Sequence, residues 1–114
     1  MDKESLTEKL LDLVEGRETP ESWRNWWDEH ETELEALLSR GEFLKLKPCR
    51  HGFQWVPVFG SQKGAIAILE KSGTAFEASN LYQERYLAEL DAFCKEQERV
   101  QREKQKEFKA NNPE

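Results

Sequence analysis

The sequence predicts a predominantly helical α+β domain, with about four helices, one β-hairpin inserted between helices two and three, and a long C-terminal helix. Apolar residues recur at helical spacing on both sides of the stretch 41–60, and inside that stretch they alternate with polar residues. The chain has 114 residues, of which 35% are charged and 37% are hydrophobic. This length fits one domain, and this composition is enough to build a core.

The first predicted helix runs from about Leu6 to Val14. Ser5 and Glu8 have the spacing of a capping box, in which each side chain accepts a hydrogen bond from a backbone amide of the first turn. Gly16 follows as the residue that ends the helix. A helix this short is marginal alone, so we expect its apolar side to pack on the rest of the domain.

The second predicted helix is the clearest element. Thr19 is a favourable N-cap, and Pro20 stands at the first helical position, where its missing amide costs nothing. We expect this helix to continue to about Gly41. Its apolar side is a stripe of aromatic residues and leucines: Trp23, Trp26, Trp27, His30, Leu34, Leu37 and Leu38. The stripe predicts that this side of the helix faces the core.

Alternation in the stretches 43–47 and 53–59 predicts the two strands of the β-hairpin, with a turn at 48–52. Pro57 has no amide hydrogen to donate to a neighbouring strand, which places the second strand at an edge. We expect the hairpin to lie against the helices, because two strands alone are not stable in water.

Two further helices are predicted after the hairpin. Ser61 can cap the third helix, which ends at Ser72–Gly73. The last helix has two possible starts, because Thr74 and Ser79–Asn80 are equally good caps. Both helices carry enough apolar residues to pack on the domain.

The end of the chain predicts the domain boundary. After Phe93 the apolar content falls and charged residues dominate. We therefore predict one compact domain over 1–94 and a charged helical extension over 95–114. The oligomeric state does not follow from the sequence, although this helix can support a dimer.

Charge is unevenly divided along the chain. Residues 1–42 include 13 acidic and five basic residues, whereas residues 43–75 include one acidic and five basic residues. The second helix holds a dense group of carboxylates away from its apolar stripe: Asp28, Glu29, Glu31, Glu33 and Glu35. Such a face can bind a basic protein, because complementary charge speeds association and disfavours wrong partners. The competing interpretation is a solvated helix face.

The charge pattern predicts a non-enzymatic protein-binding module with a basic partner. The alternative is a nucleic-acid-binding or adaptor protein, because basic residues interleaved with aromatic rings can hold phosphates and stack bases. The candidate residues for that alternative are Lys45, Lys47, Arg50, Trp55 and Lys63. A net charge of −6 argues against nucleic acid. A third interpretation is the N-terminal part of a larger protein, because the chain ends in a charged helix and a linker-like Asn-Asn-Pro-Glu.

No residue pattern predicts catalysis, a metal site or a cofactor. A zinc site usually has two close pairs of ligands, and Cys49 with His51 is the only close pair in the sequence. A Cys–His nucleophile pair would need an oxyanion-stabilising context, which these residues lack. We therefore expect no enzyme activity, no metal and no cofactor.

The remaining features favour a cytoplasmic protein. No apolar run approaches the roughly 20 residues that cross a bilayer, and the acidic start of the chain lacks the core of a signal peptide. Two cysteines without a CxxC pattern are too few to stabilise a small secreted domain. In size, acidity and its dense acidic helix, the chain resembles bacterial immunity or antitoxin-type proteins. That resemblance implies a protein partner.

Overall fold

The computed structural model describes residues 1–50 and 52–111, and the side chains of this range up to residue 103. The described chain forms five helices: α1 (Lys3–Val14), α2 (Pro20–Leu37), α3 (Arg40–Leu46), α4 (Trp55–Ser72) and α5 (Leu81–Asn111). No β-strand occurs among these residues, so the predicted α+β class and its hairpin are wrong. The described part of the protein is all-helical.

Helices α1 and α2 begin with side-chain caps. The Asp2 carboxylate accepts a hydrogen bond from the Ser5 N–H at 2.8 Å, so α1 begins earlier than predicted. This bond also lowers the pKa of the Asp2 carboxyl. Thr19 caps α2 as predicted, and its partner in the capping box is Ser22.

The first predicted strand is helix α3. Ser39 and Glu42 form a capping box, in which the Glu42 N–H donates to Ser39 Oγ at 3.2 Å and the Ser39 N–H donates to Glu42 Oε1 at 3.0 Å. The helix buries Phe43 and Leu46 and leaves Leu44 57% exposed. The alternation is misleading because the spacing of three between Phe43 and Leu46 fits a helix equally well.

The second predicted strand is the first turn of α4. This helix begins at Trp55, well before the predicted cap Ser61, and Pro57 lies in its first turn. A proline is tolerated there because first-turn amides have no partner within a helix. The helix ends at Ser72, as predicted, and Gly73 follows with a φ of +73°.

Helix α4 is central and packs against each of the other four helices. Small residues permit the close contact with α3. A β-carbon on Gly64 would lie 2.5 Å from the Lys45 carbonyl oxygen, so this position has no room for a side chain. One turn earlier, Ser61 Oγ donates a hydrogen bond to the Leu46 carbonyl at 2.7 Å. The end of α3 therefore rests directly on the backbone of α4.

A buried polar junction joins α1, α4 and the start of α5. The Gln62 amide donates to the Val14 carbonyl at 2.8 Å and to the Ser79 carbonyl at 2.9 Å. Tyr82 is fully buried, and its hydroxyl accepts the Glu18 N–H at 2.9 Å. Burial raises the pKa of Tyr82 to about 12. The bond to Val14 gives the last carbonyl group of α1 a hydrogen-bond donor. Together, these bonds fix the position at which α5 leaves the core.

Helix α5 caps α4 and then extends past it. Glu89 accepts the Gln54 N–H at 2.8 Å and the Trp55 N–H at 2.7 Å. Gln54 makes no side-chain cap of its own, and the Glu89 carboxylate suits the positive end of α4. Farther along, residues 91–99 are all exposed, and the molecule measures 71 × 27 × 21 Å. The distal part of α5 therefore projects from the body formed by the other helices.

The hydrophobic core is formed by α1 to α4 with one residue of α5. Trp23 and Trp27 are buried, whereas Trp26 is partly buried and stacks on Trp23 with ring centroids 5.2 Å apart. The indole Nε1 atoms of Trp23 and Trp27 have no hydrogen-bond partner among the described residues. The core residues are Leu6, Leu10, Leu13, Val14, Trp23, Trp27, Leu34, Phe43, Leu46, Val58, Ala65, Leu69 and Tyr82.

Candidate partner-binding surface

An open groove of about 830 Å³ runs between α2 and the end of α3. Helix α2 presents Arg24, Asp28 and Glu31 on this side, because residues three and four apart are neighbours on a helix. The opposite wall includes the segment 47–50, which follows α3. The lining residues are Arg24, Trp27, Asp28, Glu31, Leu44, Lys47, Pro48, Cys49 and Arg50. The groove thus joins members of the predicted acidic and basic groups.

Charges of both signs face the groove. Lys47 Nζ lies 3.1 Å from Glu31 Oε1, so one pair of opposite charges is satisfied within the chain. Arg24, Asp28 and Arg50 are exposed. A groove of mixed charge suits a protein segment better than a phosphate backbone, because its carboxylates repel phosphate.

The five predicted acidic residues of α2 do not form a single face. A helix turns about 100° per residue, which separates them into two groups. Asp28, Glu31 and Glu35 lie on the side of the groove, and Glu29 and Glu33 lie on the side where the chain N-terminus packs. The acidic surface therefore covers two flanks of α2.

Two of these five residues are in ion pairs within the chain. Glu31 pairs with Lys47, and Glu33 Oε2 lies 2.9 Å from the amino group of Met1. The hydrogen bond and the charge of that amino group lower the pKa of the Glu33 carboxyl. The other three residues are exposed and make no ion pair with the described part of the chain: Asp28, Glu29 and Glu35.

Two like-charge pairs within this group oppose the stability of α2. Glu31 is one turn from both Asp28 and Glu35, and like charges at this spacing cost ~0.2–0.5 kcal/mol per pair. Glu35 also lies near the C-terminus of α2, where the helix dipole disfavours negative charge and where the last turn has no basic residue. Asp28 and Glu35 therefore gain no helix stability from Glu31.

The five predicted nucleic-acid-binding residues do not converge on one surface. Lys47 and Arg50 line the groove, whereas Lys45 lines a separate pocket between α3 and α4. Trp55 is half-buried and stacks on a tyrosine of α5, and Lys63 Nζ lies 4.4 Å from the centre of a phenylalanine ring on its own helix. They lie apart because the hairpin that would have aligned them is replaced by two helices.

Arg24 and Leu44 are among the groove residues that sequence reasoning did not assign to a site. Arg24 is one helical turn before Asp28, and that spacing places it on the same flank. Leu44 falls in the predicted first strand, and in the structure it is 57% exposed at the edge of the groove. The spacing of Arg24 is visible in the sequence, whereas the exposure of Leu44 follows only from the position of α3.

Two other kinds of site are not found among the described residues. No group of three or more His, Cys, Asp or Glu side chains is arranged to hold a metal ion there. Cys49 is a free, exposed thiol, and His51, its partner in the predicted pair, lies outside the described residues. Within that same part of the chain, no helix combines the length and the apolar character needed to cross a bilayer.

Comparison of the chain with known protein families, with curated proteins and with solved structures finds no match.

Proposed function

We propose that the protein is a non-enzymatic protein-binding module that holds a basic partner on the acidic surface of α2. The observation that supports this most strongly is the trio Asp28, Glu29 and Glu35, which is exposed and makes no ion pair with the described residues. Two of its members, Asp28 and Glu35, also lie one turn from the like charge of Glu31. Residues that act against stability are expected at functional sites. A basic partner would relieve the repulsion and be steered toward the surface.

The groove beside the trio supplies the other elements of a protein interface. Leu44 offers an exposed apolar side chain, and Arg24 and Arg50 offer donors for carboxylates or carbonyls of the partner. Asp28 lines the groove and is also one of the three exposed carboxylates. One segment of a partner protein can therefore contact the groove and Asp28 together. Mixed polar contacts around an apolar residue are typical of a protein–protein interface.

A charge-neutralising variant tests this proposal without breaking the ion pairs inside the chain. The variant combines Asp28→Asn, Glu29→Gln and Glu35→Gln, and it keeps Glu31 and Glu33 in their pairs. The matched control removes the same number of charges from exposed positions on α1, α4 and α5: Glu8→Gln, Glu70→Gln and Glu98→Gln. The two proteins have equal net charge, so any difference between them reports the position of the charges.

Binding is measured by calorimetry with a synthetic lysine-rich peptide, and by mass spectrometry of proteins captured at low and physiological salt. We expect the variant to melt at or above the wild-type temperature, because it loses like-charge repulsion, and to lose peptide binding and its captured partner. The control should retain both. Equal binding by the variant and the wild type would contradict the proposal.

A further inference from the structure

A second, smaller pocket of about 320 Å³ lies away from the acidic surface, where α1 meets the ends of α2 and α4 and the start of α3. Its apolar walls are leucine and isoleucine side chains, and three of them belong to the core: Leu6, Leu10 and Leu69. No aromatic ring is among the residues that line it. The walls are therefore flexible aliphatic chains with no surface for ring stacking.

The mouth of this pocket is positively charged. Lys3 and Lys71 are exposed there, and neither makes an ion pair with a described residue. One carboxylate, that of Glu42, also lies at the mouth and accepts the Ser39 N–H at 3.0 Å. The hydrogen bonds with Ser39 lower the pKa of Glu42, and the charges of Lys71 and Lys3 add to this effect. The mouth therefore holds two lysine ammonium groups and one carboxylate, and that carboxylate already accepts a hydrogen bond from Ser39.

We propose that this pocket binds an aliphatic carboxylate of medium chain length. The chain would lie among Leu10, Leu37 and Ile68, and the carboxylate would lie between Lys3 and Lys71. The volume is near the lower end of the ~300–1,000 Å³ typical of small-molecule sites, which limits the length of the chain. This site shares no residue with the acidic surface of α2, so it is independent of the proposed partner binding.

A chain-length series tests the apolar part of the proposal. Hexanoate, octanoate and decanoate are titrated into the whole protein, with calorimetry for affinity and methyl NMR for location. Each added methylene should tighten binding about fourfold, which is ~0.8 kcal/mol, until the pocket is full. The methyl signals of Leu10 and Ile68 should shift most. Absence of saturable decanoate binding, or shifts confined to other residues, would overturn the proposal.

Two exposed lysines test the charged part. Lys3→Gln with Lys71→Gln should weaken decanoate binding about threefold to tenfold, because exposed ion pairs are individually weak, and should leave 1-decanol binding unchanged. The matched control, Lys63→Gln with Lys95→Gln, removes the same charge elsewhere and should not weaken binding. Equal weakening by both double variants would mean that bulk charge attracts the anion, and the carboxylate site would be rejected.

A filling substitution provides the last test. Ile68→Trp should occupy the pocket and abolish binding of both decanoate and 1-decanol. A circular dichroism melt first establishes that the variant is folded at the temperature of the titration. Binding that persists in the folded variant would place the chain elsewhere and overturn the proposal. If the variant is unfolded, the double lysine variant and the methyl NMR shifts decide whether the carboxylate binds in this pocket.

Discussion

Aromatic residues at helical spacing run along both α2 and α5, and the two stripes meet different surroundings. The stripe of α5 consists of Tyr82, Tyr86 and Phe93. In α2, Trp23 and Trp27 are 0% and 2% exposed, whereas Phe93 in α5 is 49% exposed. Helix α2 packs against both α3 and α4, but α5 packs chiefly on α4. Spacing determines which residues share a face of a helix, and the neighbouring helices determine whether that face is buried.

The lengths of α4 and α5 explain the difference. At about 1.5 Å per residue, the 18 residues of α4 span about 27 Å and the 31 residues of α5 span about 46 Å. The two helices are joined by Glu89, which caps the start of α4. Residues of α5 after this contact pass the N-terminal end of α4, and no helix in the described part of the chain covers residues 91–99. The same pattern therefore produces a core in one region and an exposed surface in the other.

The largest expected effect on stability comes from truncating a buried aromatic residue of α2, and it is compared with the same change in α5. Trp23→Ala should lower the free energy of unfolding by about 3–5 kcal/mol, because it leaves a cavity in the core. Phe93→Ala should lower it by less than about 1 kcal/mol, because the ring is half exposed. Urea unfolding monitored by circular dichroism measures both. Phe93 also meets the ring of Phe53, with ring centroids 5.4 Å apart. A comparable loss for Phe93→Ala would show that this contact stabilises the protein as strongly as the core around Trp23 does.

The next effect tests the close packing of the body. Gly64→Ala should lower the free energy of unfolding by about 1–3 kcal/mol, because the new β-carbon would collide with the carbonyl of Lys45. Gly60 lies on the same helix with open space around it, so Gly60→Ala should raise the free energy by about 0.5–1 kcal/mol. Thermal melts of the two variants should shift in opposite directions. A stabilised Gly64→Ala variant would mean that α3 does not lie on α4 as described.

A smaller effect concerns the joint between the body and α5. Tyr82→Phe should lower the free energy of unfolding by about 1–2 kcal/mol at neutral pH, because the buried Glu18 N–H loses its acceptor.

The same joint predicts a dependence on alkaline pH. Because the pKa of Tyr82 is raised to about 12, the folded protein favours the neutral phenol, and stability is full below the ordinary value of ~10. Stability should then fall as the pH rises from ~10 through ~12. Urea unfolding across this range measures it, with Tyr82→Phe as the control that lacks this contribution. An equally steep fall in the control would assign the loss to other groups.

The smallest effect is expected at the far end of α5. Removing residues 101–114 should change the free energy of unfolding by less than about 0.5 kcal/mol, because residues 91–99 are already exposed along the helix. Thermal melts at several protein concentrations measure this change. A large, concentration-dependent fall in melting temperature would indicate that the projecting helix is held by a second copy of the chain.

Local signals in the sequence predicted the elements that depend on local contacts. Thr19 and Pro20 placed the start of α2 correctly, and the stripe that includes Trp23 and Trp27 identified its buried side. The spacing of Ser39 and Glu42 also fits a capping box, but the prediction of a strand at 43–47 rested on the alternation alone.

Contacts between distant residues could not be predicted in this way. The start of α4 depends on Glu89, which is more than 30 residues away, and no local pattern around Trp55 announces this contact. The exposure of Asp28 and Glu29 was predicted from the helix pattern alone. The groove beside them was not, because it exists only once α3 is placed against α2 and α4.

The cap that Glu89 provides also affects the order in which the chain matures as it is synthesised. Helix α4 leaves the ribosome before Glu89 does, so the amides of Gln54 and Trp55 remain hydrated at first. Only after α5 has emerged can the carboxylate dock and Trp55 stack on Tyr82. A chain that is cut short before residue 89 would have an uncapped start of α4, and one cut short before residue 82 would also leave Trp55 uncovered. Chaperones and proteases act on exposed apolar side chains and on loosely folded segments. This feature therefore lets them distinguish unfinished chains from finished ones.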